Sequence, residues 1–147
     1  MIPKVWVEVP MYKTLVRSRI RRSVQALGDG DLRPLLAGYA DDGVLVFPGI
    51  SRWAGEYRGK PAIEGFLRRF LDAGLSGEVQ DIVVNGPPWR TSVCVVFVDR
   101  AADAAGQVLY ENRVMFLVRA VWGKVVYQED FLDTQRVASF DEYLSRT

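Results

Sequence analysis

Ser92-Val-Cys-Val-Val-Phe-Val-Asp99, Val108-Leu-Tyr-Glu-Asn-Arg-Val-Met-Phe-Leu-Val-Arg-Ala120 and Lys124-Val-Val-Tyr-Gln-Glu-Asp-Phe-Leu132 decide the fold of this chain. They are rich in Val, Phe and Tyr, whose branched or flat side chains fit a pleated, half-buried surface. Asp103-Ala-Ala-Gly106 and Trp122-Gly123 separate them, and Asn85-Gly-Pro-Pro88 divides the first from a further strand over Val79 to Val84. Turn residues at these points predict a meandering antiparallel sheet. The one cysteine, Cys94, falls inside the first run, so it has no internal disulfide partner and reads as a buried, inert thiol.

Upstream of Gly77 the apolar period changes from two to 3.6. Tyr12, Leu15, Val16, Ile20, Val24 and Leu27 share one helical face, and Gly28 supplies the stop. Lys13, Arg17, Arg19, Arg21 and Arg22 on this helix read as a solvated face, because no aromatics are interleaved with them. Asp31 is placed to cap a short second helix through Leu32, Leu35, Leu36 and Tyr39, with Pro34 tolerated in its first turn. Val44 to Phe47 reads as a strand, followed by a loop carrying Trp53 and Tyr57. Pro61 then opens a third helix, with Ile63, Phe66, Leu67, Phe70 and Leu71 at i, i+3, i+4, i+7 and i+8. Ser139 and Glu142 have the spacing of a capping box for a last short helix. Ahead of all this, Val5, Val7 and Val9 alternate up to Pro10, which predicts an extended arm over residues 1–10 and a cone-forming body over 11–147. Helices first and strands afterwards make the class α+β, with the helices on one face of a curved sheet.

Composition narrows the function. A chain of 147 residues with 49% hydrophobic and 25% charged residues has the balance of one globular domain able to bury roughly two-thirds of its unfolded surface. A formal net charge of +1 is no footprint for nucleic acid or an anionic membrane, so a small neutral or apolar partner fits better. The chain has no histidine, which removes Ser-His-Asp and Cys-His nucleophiles and every His-containing metal site. Acid/base work falls to Asp, Glu, Tyr or Lys. No spanning segment or signal-peptide core is present, and the expected location is the cytoplasm.

Three stretches together resemble the nuclear transport factor 2-like superfamily, which includes ketosteroid isomerase, limonene epoxide hydrolase and the SnoaL-like polyketide cyclases. They are Leu27-Gly-Asp-Gly-Asp-Leu32 running into Tyr39-Ala-Asp-Asp-Gly-Val-Leu-Val-Phe-Pro48, then Tyr57-Arg-Gly-Lys-Pro-Ala-Ile63, then Gly123-Lys-Val-Val126 leading to Glu129-Asp-Phe-Leu-Asp-Thr134. The resemblance implies a cone-shaped roll, in which a strongly curved, mostly antiparallel sheet wraps three N-terminal helices around an apolar pocket. It also implies a homodimer, with Val5, Trp6 and Val7 near the terminus as candidate contacts. One scaffold hosts several chemistries, so fold alone does not assign function.

Carrying the family's functional positions across prunes the options. The isomerase set of Tyr, Asp base and protonated Asp falls on Ser23, Phe47 and near Met115, so that constellation is missing. The epoxide hydrolase segment matches Asp130-Phe-Leu-Asp133, but its Arg and Asp partners fall near Val96 and Val98, and its Tyr and Asn near Leu45 and Phe47. Asp99 and Arg100 stand one or two places off, and a one-residue slip turns a side chain to the other face of a strand. The cyclase branch needs one acid/base Asp, for which Asp130 serves, with Arg113 on the neighbouring strand to steady negative charge. Glu111 and Glu129 are reserve carboxylates. Phe47, Val98 and Met115 are expected in the pocket wall, and Trp53, Tyr57 and Trp89 at its mouth. An ion pair of Asp130 with Arg113 or Arg119 is the competing structural reading.

The expectation is therefore a cofactor-independent and metal-independent acid/base enzyme, of isomerase, cyclase or epoxide-hydrolase type. Its substrate is a hydrophobic ring-bearing metabolite, Asp130 exchanges a proton and Arg113 assists. The alternative is a non-catalytic ligand-binding or dimeric interaction module of the same fold.

Overall fold

The computed structural model describes the backbone of residues 4–147 and the side chains from Met11 onward. Its elements run α1 (Lys4–Gly28), α2 (Arg33–Ala37), β1 (Tyr39–Phe47), β2 (Gly55–Arg58), α3 (Lys60–Asp72), β3 (Ser76–Asn85), β4 (Thr91–Ala102), β5 (Val108–Val121), β6 (Lys124–Leu132) and α4 (Thr134–Ser145). The strands form one sheet in the order β2-β1-β6-β5-β4-β3. β3 to β6 are the antiparallel meander expected from their turns. β1 lies parallel to β6, which requires the long return through α3 and the meander.

The β5–β6 hairpin fixes the register of everything near Asp130. Trp122 (φ 48) and Gly123 (φ 77) form its two-residue turn between the paired Val121 and Lys124. Positive φ at both positions is the geometry of the tight hairpin turns that match the twist of their strands. Phe116 then stands opposite Asp130, and Met115 opposite Phe131.

Strand alternation produces the two faces of the sheet. Along β4, Val93, Val95, Phe97, Asp99 and Ala101 are buried in turn, while Cys94, Val96 and Val98 are only half-buried. Two apolar clusters occupy the inner face. In one, Ile63, Phe66 and Leu67 of α3 pack with Leu45 of β1 and with Val137 and Phe140 of α4. In the other, Val16 and Ile20 of α1 pack on Ile82, Val84, Val93 and Val95 of β3 and β4. The helices thus cover the sheet at its two ends and leave a space between.

Several boundaries differ from those expected. The backbone of Lys4–Val9 is helical and Pro10 lies within α1, so the extended arm is not formed there. An alternating segment needs a partner strand, and valine loses only a few tenths of a kcal/mol in a helix. Residues 1–3 and the side chains of Val5, Trp6 and Val7 lie outside the described residues. β1 starts at Tyr39 rather than Val44, with its register broken between the two, and there a Cβ on Gly43 would stand 2.9 Å from the Val125 carbonyl oxygen. The segment expected to be a loop around Tyr57 contributes the edge strand β2, with Tyr57 opposite Leu45. α4 begins earlier than the Ser139 box, capped by Asp133, whose Oδ1 accepts from the backbone N–H of Gln135 (3.0 Å) and of Arg136 (3.3 Å).

Candidate functional site

Between the two clusters lies a chamber of about 220 Å³, walled by all four helices and by β1, β4, β5 and β6. Its lining is overwhelmingly apolar, with Leu45, Phe47, Phe66, Phe97, Phe116 and Phe140 among the walls. Polar groups that enter such a space lose their water and must find partners in the protein or in a ligand.

Asp130 enters from β6. It is 2% exposed, and its Oδ1 accepts a hydrogen bond from Gln128 Nε2 at 2.9 Å. Gln128 is two residues earlier on the same strand, hence on the same face. Its Oε1 in turn accepts from the Tyr39 hydroxyl. Tyr39, Gln128 and Asp130 form a relay along the chamber wall, in which the tyrosine fixes the amide so that its N–H₂ faces the carboxyl. Burial pushes the Asp130 carboxyl up to about 7, the Gln128 bond opposes that rise, and the charges of Asp99 and Glu129 add to it. Burial, followed by the Asp130 charge, also holds the Tyr39 phenol well above its ordinary value.

A second carboxyl faces the same chamber from β4. Asp99 is 7% exposed, and burial raises it to about 7, against smaller lowering effects of its own backbone N–H and of the Tyr110 hydroxyl. Tyr110 is held by Asn112, whose Nδ2 donates to its hydroxyl at 3.0 Å and to the Asp133 carbonyl at 2.9 Å. Sequence reasoning set Asp99 aside for standing a place away from a relative's catalytic position. The signal that finds it is the period of β4 itself, since Asp99 shares parity with Val93, Val95 and Phe97.

Of the residues expected at the site, Phe47, Trp53 and Asp130 line the chamber. Arg113 does not. The two-residue hairpin puts Phe116 across from Asp130, and Arg113, three positions from Phe116, projects from the opposite face. There it lines a shallow outer groove with Arg100, Glu111 and Arg136. Val98, its cross-strand partner, shares that groove, and Met115 is 46% exposed on the same side. Tyr57 is buried behind the chamber, its hydroxyl donating to the Trp53 carbonyl at 2.6 Å. Trp89 is 57% exposed and leans on Trp122 at the hairpin tip, with ring centroids 5.9 Å apart. Among the described residues Asp130 takes part in no ion pair, so the structural pairing with Arg113 or Arg119 is not made. Glu111 pairs with Arg100 at 2.8 Å outside the chamber, and Glu129 stands opposite Leu117, next to Asp130 and so on the other face.

Known proteins resemble this chain mainly in fold. A protein from a soil-derived mobile gene cassette superposes with a TM-score of 0.72 at 19% identity, over 85% of this chain and 95% of its own. A nuclear transport factor 2-like protein of unknown function from Burkholderia pseudomallei gives 0.71 at 21%, over 85% and 95%. TerC, crystallized with polyporic acid, gives 0.67 at 21%, over 85% and 96%. No curated protein matches the chain. Among the described residues no helix is long and apolar enough to cross a membrane. The profile of the SnoaL-like domain matches residues 20–128, which include the C-terminal third of α1, all of α2, α3 and β1 to β5, and the first half of β6. With that match over most of its length, and the same architecture in its structural neighbours, the chain belongs to the SnoaL-like domain family of the nuclear transport factor 2-like superfamily.

Proposed function

We propose that this protein is a cofactor-independent acid/base enzyme of the cytoplasm that takes a hydrophobic, ring-bearing small molecule into the chamber, with Asp130 exchanging the proton. The observation that carries this reading is a carboxyl in an apolar chamber, bound by a single neutral amide and raised to about 7. A group that titrates near neutrality gives and takes a proton with comparable ease, as isomerisation, ring closure or epoxide opening each require. Gln128 occupies Oδ1 and leaves Oδ2 to meet the substrate, and Tyr39 keeps the amide from turning its oxygen toward the carboxyl. Negative charge that develops on the substrate finds no guanidinium of Arg113 in this chamber; among the described residues Arg19 of α1 is the one cationic side chain in the lining, beside neutral donors such as Tyr12 and Thr91.

The test starts from a ligand screen of ring-bearing ketones, phenols and epoxides, with polyporic acid included because TerC was crystallized with it. Turnover of any hit is followed by mass spectrometry. Asp130→Asn removes turnover while leaving binding within about threefold. Undiminished turnover in that variant removes Asp130 from the chemistry, and binding without turnover in the wild type supports the non-catalytic ligand-binding module instead. The homodimer belongs to the same proposal. Val96, Met115 and Phe131 form an apolar row across β4, β5 and β6 on the outer face, suited to a second copy. Sedimentation of the wild type as a dimer and of Met115→Lys as a monomer supports it.

A further inference from the structure

Among the described residues two buried side-chain atoms lack any hydrogen-bond partner, and both belong to residues that line the chamber: Trp53 Nε1, a donor, and Asp99 Oδ1, an acceptor. Buried polar atoms are rarely left unpaired, because each has given up water without replacement. The two do not satisfy each other. Neither can easily turn away to find another partner. The Trp53 ring is stacked on Phe140 with an interplanar angle of 1°, and Phe140 stacks on Tyr110 at 4.7 Å. The Trp53 backbone is tied by the Tyr57 hydroxyl, and Tyr110 by Asn112. An unpaired donor and an unpaired acceptor, set rigidly in a largely apolar wall away from the Tyr39–Gln128–Asp130 relay, are the complement of a group that both accepts and donates.

We propose that Asp99 and Trp53 form a second polar pole of the chamber, which binds a hydroxyl-bearing edge of the ring compound, its hydrogen donated to Asp99 Oδ1 and an oxygen accepting from Trp53 Nε1–H. This rests on the reading of the chamber as a substrate site and names the class of substrate: a hydroxylated ring, phenolic or enolic, with the remainder of its body apolar. The pole binds and orients, while Asp130, already engaged by Gln128, is the proton-exchanging group. A site whose polar atoms are completed by a ligand hydroxyl discriminates strongly against the analogue that lacks it, since that analogue leaves them unpaired.

The experiment is calorimetric titration with 2-naphthol and with naphthalene at about pH 8, above the value of about 7 at which Asp99 titrates. The wild type prefers 2-naphthol by roughly tenfold or more. Trp53→Phe keeps the stacked ring and removes only the N–H together with part of the ring, and Asp99→Asn replaces the acceptor facing the ligand by a donor. Each lowers the preference for 2-naphthol to within about threefold, with naphthalene affinity unchanged. Asp130→Asn keeps the full preference, so loss of catalysis at Asp130 and loss of this pole are read separately. An unchanged preference in either Trp53→Phe or Asp99→Asn overturns the proposal, as does a wild type that binds the two probes equally. Should Asp99→Asn fail to fold, Trp53→Phe decides alone: it breaks no protein hydrogen bond, and the lost part of a buried, stacked ring lowers its melting temperature without preventing folding.

Discussion

Asp99 and Asp130 face one chamber from β4 and β6, strands separated by β5, and the charge of Asp99 adds to burial in holding Asp130 protonated. Both are raised from 3.8 to about 7, first of all by loss of water. The unfolded chain releases these protons near pH 4, so between there and about pH 7 the folded state binds more protons than the unfolded one. Stability from this pair is fully present below the unfolded value and is lost as pH rises through the folded one. The melting temperature therefore falls from about pH 5 to about pH 8. Asp130→Asn and Asp99→Asn each flatten that decline, and the double variant flattens it further. Thermal melts followed by circular dichroism across this range check the slope, and a wild-type melting temperature that rises with pH rules the coupling out.

Gln128 is the one group holding Asp130 toward its charged form, since its N–H₂ binds the carboxylate more strongly than the acid. Gln128→Leu keeps the volume and removes the donor. The Asp130 carboxyl then titrates above about 7, and the activity profile moves to higher pH with it. A carbon-13 carboxyl titration by NMR reads this directly, and a midpoint that stays or moves down excludes the relay as a tuning device.

The meander and the third helix were legible because their apolar periods are long and unbroken, as at Ser92 to Asp99 and Ile63 to Leu71. β2 was hidden because Gly55–Arg58 is a four-residue edge strand with one buried side chain, Tyr57, too short for any period to show. Asp130 was found through resemblance, and its neighbour Gln128 follows from parity on the strand once Asp130 is placed inside. Arg113 was misplaced because its face depends on the length of one hairpin loop, and Trp122 at positive φ is an uncommon residue for such a turn. Trp53 was expected at the mouth as a loop aromatic. Its unpaired N–H arises from stacking on Phe140, a contact across most of the chain that no local pattern announces.

Arg113 offers a direct check on that correction. It lies on the outer face and forms none of the ion pairs made by Arg100 or Arg136. Arg113→Ala changes stability by no more than about 0.5 kcal/mol and leaves both probe binding and the Asp130 titration where they are. A tenfold loss of probe affinity in this variant puts the side chain back into the chamber and reverses the hairpin register.

Gly77 shows how a residue outside the chamber governs its shape. It stands on β3 opposite Asp99, and a Cβ there would lie 2.0 Å from Phe97 Cζ and 2.6 Å from the Val98 carbonyl oxygen. The backbone oxygen cannot give way as a flexible side chain would, so Phe97 and the strand bearing it must shift. Phe97 packs against Phe116 with ring centroids 5.4 Å apart, and Phe116 is the cross-strand partner of Asp130. Gly77→Ala is therefore destabilising by about 1–3 kcal/mol, the usual range for overpacking, and it disturbs probe binding as well as folding. Gly65→Ala, in α3 with nothing near its would-be Cβ, is the matched control and gains up to about 1 kcal/mol from reduced backbone freedom of the unfolded chain. Urea unfolding of the two variants separates these effects. Equal stability of Gly77→Ala and wild type shows that β3 moves freely against β4, in which case Asp99 is not held rigidly enough to form a binding pole.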